Sequence, residues 1–127
     1  MFYLPQSLAY LVVSPWARQH RRRRLAQAAG VGLLVDQERL PILPECDMLC
    51  RHFGLNPLGL IGSGSLLIAA DQTSAAAIVG RLTSQGIAAV TIGQIVPADQ
   101  GCRIRTTDGS LRPLPTFTRD EITRLFP

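Results

Sequence analysis

The stretch from Ser65 to Val96 limits the architecture more than any other part of this sequence. Ser65–Ala70 (SLLIAA) is a short, almost continuously apolar run with the length of a buried strand. Asp71 follows as an N-cap. Ala75, Ile78, Val79 and Leu82 then recur at helical spacing before Gly86 closes the segment. Ile87–Val96 (IAAVTIGQIV) is the next strand. A strand, an amphipathic helix and another strand in that order imply a crossover connection, with the sheet covered on at least one face.

The flanking segments extend this unit into one α+β domain. Residues 1–14 carry no assignment beyond an extended strand over Leu8–Val13. Ser14-Pro15 reads as an N-cap followed by proline at the first helical position, with Gly30 as the stop. Val31–Val35 (VGLLV) is a strand ending at Asp36. Pro44 opens a second helix closed by Gly54, whose Cys46, Leu49, Cys50 and Phe53 form an apolar stripe expected to be buried. Asn56-Pro57 starts a short turn or helical piece through Ile61, ahead of Gly62-Ser63-Gly64. Arg103–Thr107 alternates, with Ile104 opposite in sense to Arg103 and Arg105, as a half-exposed strand does. Asp108-Gly109 is a hairpin signal, and Pro113 and Pro115 end regular pairing. Thr118-Arg119-Asp120-Glu121 reads as a capping box opening a last helix with Ile122, Leu125 and Phe126 inward. The expected order is α-β-α-β-α-β-β-α, without internal repeats.

With 127 residues, 46% of them hydrophobic and 17% charged, the chain can bury a core. All 13 basic residues are arginine, which excludes a lysine nucleophile, a Schiff base and a phosphate-loop lysine. Four of these arginines form the run Arg21–Arg24; without it the count is 9 basic against 9 acidic, so the net charge of +4 is one local feature on a neutral domain. Four consecutive helical residues at about 100° each sweep most of a circle, so the run cannot lie on one face. Arg21, Arg22, Arg23 and Arg24 are the candidates for contact with an anion or a nucleic acid. The interleaved aromatics of single-strand binders are missing, with only Trp16 close by, so a solvated helix end or an interface patch is the favoured reading. Three cysteines without framework spacing suit a reducing compartment. The apolar N-terminus has its charge after the hydrophobic stretch, the reverse of a secretory signal, and the residues between Pro5 and Pro15 are too few to span a bilayer. A cytoplasmic protein with no membrane partner is expected.

The chemistry-bearing residues form no catalytic constellation. Cys46 and Cys50, with His52 near, suggest a metal at first, yet the two thiols share the apolar helix face, where cysteine packs as a small hydrophobe. Structural zinc takes four ligands, and only His20 and Cys102 remain to complete a set. No metal is therefore expected. Gly62-Ser63-Gly64 precedes a strand, whereas phosphate cradles run strand–loop–helix. The Ala70–Ser74 junction has that order, but Asp71 puts a negative charge where the anion would sit. Asp36 with Glu38 and Asp120 with Glu121 fit a strand-end turn and a first helical turn. No nucleophile elbow is present.

LAQAAGVGLLVD (Leu25–Asp36), LPILPECDMLCRHFGLNPLGLIGSGSLLIAA (Leu40–Ala70), the helix Ala75–Gln85, GIAAVTIGQIVP (Gly86–Pro97) and DGSLRPLP (Asp108–Pro115) together carry a family signal. They resemble the C-terminal domain of the aminoimidazole ribonucleotide (AIR) synthase-related proteins, in particular the HypE-type hydrogenase-maturation branch. GLNPLGLIGSGSLLIA and AAVTIGQIVP are the most telling pieces; they are structural glycines and strand cores, not catalytic side chains. The resemblance implies an α-β-α layered mixed sheet of the PurM C-terminal-domain type with partial ferredoxin-like topology, over residues 15–127. In such proteins an N-terminal domain supplies most ATP and metal ligands and the principal dimer contacts, and ATP phosphorylates an amide or acyl oxygen to make it a leaving group.

By that correspondence the chain starts near the first helix of the C-terminal domain and has no room for the N-terminal one. The HypE type ends in a Pro-Arg-x-Cys tail, whereas no cysteine lies beyond Cys102 here. The resemblance therefore implies a C-terminal half that is non-catalytic alone. Its ATP-binding half would be another chain or an omitted segment, and ATP and Mg2+ would be bound only with that half. Gly62, Ser63 and Gly64 are the candidates for substrate-side contacts, since glycine lets a ligand approach the backbone. The alternatives are a small-molecule-sensing or protein-interaction module working through Arg103–Thr107, which a homodimer burying Met1–Val13 and the Arg helix would favour, and a nucleic-acid binder working through Arg21–Arg24.

Overall fold

In the computed structural model, which describes residues 9–13, 26–60 and 67–126, the strands are β1 (Ala9–Val13), β2 (Gly32–Asp36), β3 (Leu67–Asp71), β4 (Val90–Val96), β5 (Cys102–Arg105) and β6 (Leu111–Pro113). The helices among these residues are α1 (Pro44–Phe53) and α2 (Gln72–Ser84), and residues 26–29 are helical ahead of Gly30. The strands form one sheet in the order β3-β1-β4-β2-β5-β6. β1 is antiparallel to both β3 and β4, so those two run the same way with β1 between them. This is the crossover expected around α2, split by a strand. β4 is antiparallel to β1 and β2 in turn, which makes β1 and β2 a second split pair around β4. Two interleaved split β-α-β units are the ferredoxin-like element of the topology. The parallel β2–β5 pair and the β5–β6 hairpin extend the sheet past it, so the likeness is partial and the sheet is mixed.

The extended strand expected near the N-terminus is thus an interior member of the sheet, holding β3 to β4. The helix starts and stops follow local chemistry. Asp71 caps α2, its Oδ1 accepting the Ser74 N–H at 2.9 Å. Ala75 is buried, while Ile78, Val79 and Leu82 are half-buried as α2 packs on β1, β3 and β4.

The core gathers Val35, Leu40, Ile92, Ile104 and Leu114. Leu11 pairs with Gly93 and Val12 with Thr91, so Ile92 is an extra residue on β4 with no partner across β1, and its side chain is fully buried. A Cβ on Gly93 would lie 2.2 Å from the Leu34 carbonyl oxygen, so only glycine permits this approach of β4 to β2.

Two expectations need correction. Of the α1 stripe only Cys50 is buried; Cys46 is half-buried, and Leu49 and Phe53 are 53% and 50% exposed. Among the described residues the main packing partner of α1 is the short 3-10 turn Pro57–Gly59, which is too small to cover the whole stripe. The last helix is a single 3-10 turn, Glu121–Leu125. Its cap is Asp120, accepting the Ile122 N–H at 3.2 Å, while Glu121 turns away to a distant partner. Ile122 and Phe126 are therefore exposed and Leu125 half-buried. β5, by contrast, shows Arg103 and Arg105 on the surface and Ile104 inside, as its alternation implies. Both its edges are paired, so it offers a partner no free backbone. No helix among the described residues is long and apolar enough to cross a membrane.

Candidate functional site

One cleft of about 510 Å³ opens between the loop after β2, the exit of α1, strand β6 and the C-terminal turn. Its walls are set by turn chemistry. Gly54, in the left-handed region at φ 64°, ends α1: its N–H reaches Arg51 O and the Leu55 N–H reaches Cys50 O at 2.8 Å, the paired bonds of a Schellman motif. Two residues on, Asn56 Oδ1 accepts the Leu58 N–H at 3.0 Å and Pro57 sits at the first position of the 3-10 turn.

The Asn56 N–H that this arrangement leaves over donates to Glu121 Oε2 at 3.0 Å, across 65 residues of chain. Arg124 Nη1 donates to the same oxygen at 2.9 Å and to Gly54 O at 3.3 Å. A carboxylate only 9% exposed is thereby matched by two donors. First the Asn56 N–H and then the Arg124 guanidinium hold the Glu121 carboxyl below its ordinary pKa. Gly59 makes room for this contact, since a Cβ there would meet Glu121 Cγ at 2.3 Å.

Asp47, also on the wall, pairs with Arg51 at 2.8 Å. On the opposite wall the β5–β6 hairpin turns through Thr106–Ser110. Asp108 Oδ1 accepts the Ser110 N–H at 2.9 Å and takes hydroxyl bonds from Ser110 and Thr106. Those bonds, the one from Thr106 foremost, hold the Asp108 carboxyl far below the carboxylate range. Gly109 has φ 81° and the Thr106 N–H bonds Ser110 O at 2.9 Å, closing a three-residue loop. The resulting register sets Arg112 directly across from Ile104.

Of the residues singled out in the sequence, Gly62, Ser63 and Gly64 and the run Arg21, Arg22, Arg23 and Arg24 lie outside the described residues. Asp36 is a structural ion-pair partner, bonded to Arg105 at 2.8 Å and near Arg39 at 3.8 Å. Cys46 and Cys50 sit together as expected of a shared face. Burial, followed by the neighbouring Cys46, pushes the Cys50 thiol up to about 11. Among the described residues no three His, Cys, Asp or Glu side chains gather as a metal site would require. The cleft residues Glu121, Asn56 and Arg112 were not marked as a site by the sequence. The Asn-Pro turn signal located Asn56, but the capping-box pattern gave Glu121 a local role that it does not play.

No family model matches the chain. It is 33% identical over 104 residues to the carbamoyl dehydratase HypE of Rhodobacter capsulatus and 25% identical over 104 residues to that of Cupriavidus necator, covering 80% of this chain in each case. These matches take in 31% and 30% of the two relatives, so the chain spans about a third of their length. In fold it is similar to the crystal structure of Escherichia coli HypE, at TM-score 0.73 and 24% identity over 94% of this chain and 38% of that one. Crystal structures of HypE in complex with ATP and of a HypE–HypF complex each superpose at TM-score 0.72, with 20% and 19% identity. The first covers 86% of this chain and the second 84%, each matching 36% of the solved chain.

Proposed function

Because this chain belongs to the AIR synthase-related, HypE-like family, we propose that it is the C-terminal, cleft-closing module of a HypE-like ATP-dependent maturation protein. The ATP-binding domain that completes it is another segment or another chain. The observation that carries this reading is the pairing of near-complete coverage here with coverage of about a third there: the fold takes in 94% of this chain but 38% of HypE.

The residues present do not fit ATP and Mg2+ by themselves. There is no lysine for a phosphate loop. Among the described residues the β3-to-α2 junction has the right order for an anion, but its helix N-terminus is filled by the Asp71 carboxylate, which bonds both the Ser74 N–H and hydroxyl. In this reading the nucleotide and the phosphorylation of an acyl or amide oxygen belong to the assembled protein, and this module supplies a rigid sheet on the other side of the cleft. The ATP and HypF bound in the solved HypE complexes are the ligand classes to test on the assembly.

Titration calorimetry of the 127-residue chain with ATP and Mg2+ tests the reading. No binding in the micromolar range and no turnover are expected, with a complex forming in size-exclusion chromatography when a HypE-type ATP-binding domain is added. Micromolar ATP binding by the chain alone refutes it.

A further inference from the structure

Arg112 stands apart from every other cation of the cleft. Arg124 is held by Glu121 and Gly54 O, and Arg51, beside the wall, by Asp47. Arg112 makes no hydrogen bond or ion pair among the described residues; its electrostatic neighbour is Asp108, whose Oδ1 takes the Thr106 and Ser110 bonds. Its placement follows from register. Residues directly opposed in an antiparallel pair project from the same face, and Arg112 opposes Ile104, which is 4% exposed and part of the core. A guanidinium with no hydrogen bond or ion pair among the described residues therefore stands on the inner face of the sheet edge, at the rim of a cleft with Leu40, Ile42 and Leu58 on its apolar side. The two acidic wall residues do not compete for it, since Glu121 and Asp47 have their own partners.

We propose that this cleft binds an amphipathic carboxylate, a small molecule whose single carboxylate pairs with the Arg112 guanidinium while its apolar body covers Leu40, Ile42 and Leu58. The volume, about 510 Å³, falls within the range of small-molecule sites. The planar fork of arginine matches a planar carboxylate through two parallel bonds. The proposal is independent of the ATP-binding domain and stands or falls separately from the reading above.

The competing explanation is that Arg112 is an inward-pointing charge that keeps the β6 edge from pairing with other chains. Amide-resolved NMR titration of the chain with 2-naphthoate, and with its neutral counterpart 2-naphthamide, separates the two. Naphthoate should shift the amides of Gln37, Leu58 and Arg112. Naphthamide should bind about tenfold or more weakly, as should naphthoate to Arg112→Gln, with Arg112→Lys in between. Equal binding of acid and amide to the wild-type chain, shifts confined to another surface, or no shift with the acid overturns the proposal. The acid–amide comparison is made on the unaltered protein, so it decides the matter even if Arg112→Gln perturbs folding.

Discussion

Replacing Glu121 tests whether a single long-range carboxylate locks the C-terminal turn onto the exit of α1. In Glu121→Ala the Asn56 N–H loses an acceptor that is 9% exposed, and a hydrogen bond to a charged group in that setting is worth about 1.5–3 kcal/mol. The Arg124 pair adds at most about 1 kcal/mol, because the arginine side chain is 49% exposed. A loss of about 2–3 kcal/mol is expected, a fall of about 1–2 M in the urea midpoint at an m-value near 1.5 kcal/mol/M. Glu121→Gln keeps an oxygen for Asn56 and should cost about 1 kcal/mol. The pH dependence adds a signed test. The folded-state pKa of Glu121 lies below the unfolded value of about 4.3, so its stabilisation is complete above that value and is lost as the pH falls through the folded pKa. Wild type should therefore lose more stability than Glu121→Gln on acidification from about pH 5. Asp71 and Asp108, whose pKa values are also lowered, titrate in both proteins and cancel in the difference. The reasoning is refuted if Glu121→Ala costs under about 0.5 kcal/mol, or if wild type and Glu121→Gln have parallel acid profiles.

Two glycines should respond in opposite directions. Gly93→Ala forces a Cβ to 2.2 Å from Leu34 O between two paired strands and should destabilise by about 3 kcal/mol or abolish folding. Gly80→Ala, on α2 with nothing within 4 Å, should stabilise by about 0.5–1 kcal/mol, both measured by urea unfolding. Asp71→Ala removes the α2 cap and should cost about 1 kcal/mol in the same assay. Cys50, with its thiol pushed up to about 11 and 3% exposed, should resist a thiol-reactive disulfide reagent at pH 8 in the native protein and react once urea is added. Fast native-state labelling of Cys50, located by peptide mapping, contradicts the packing described.

What was legible in the sequence is what local chemistry decides. Pro44 and Gly54 bound a helix because proline tolerates its first turn and glycine accepts φ 64° at its end. Asp71 caps α2 for an equally local reason. The apolar period of α1 was also correctly placed, but a period states which residues share a face and not what covers it. Leu49 and Phe53 share the face of Cys50 and lie half exposed because, among the described residues, the main element packed there is a short turn. Glu121 was misread because its partner, Asn56, is 65 residues away, while Thr118 three positions back offered a complete local pattern. The strand pattern of Ile87–Val96 carried Gly93 without saying why glycine is needed there; the reason is the backbone of β2, which periodicity in β4 does not report.

The face of Arg112 shows how narrow the margin is between a legible strand and a legible site. A two-residue turn at Asp108-Gly109 would set Arg112 opposite Arg105, on the outer face, as one more solvated cation. The observed loop is one residue longer, because the Asp108 carboxylate gathers Thr106 and Ser110 and Gly109 takes φ 81°; Arg105 then opposes Leu111 and Arg112 opposes Ile104. One residue of register reverses every side chain of a strand. The hydrogen bonds of a surface turn thus decide whether the cleft rim carries a charge. Asp108→Ala should therefore weaken naphthoate binding as Arg112→Gln does, although Asp108 need not touch the ligand. Rescue of binding in Asp108→Asn, whose side-chain oxygen can still accept from the Ser110 N–H, is the outcome that assigns Asp108 a positioning role. Undiminished binding in Asp108→Ala would mean that the register is held by the strands and not by the turn.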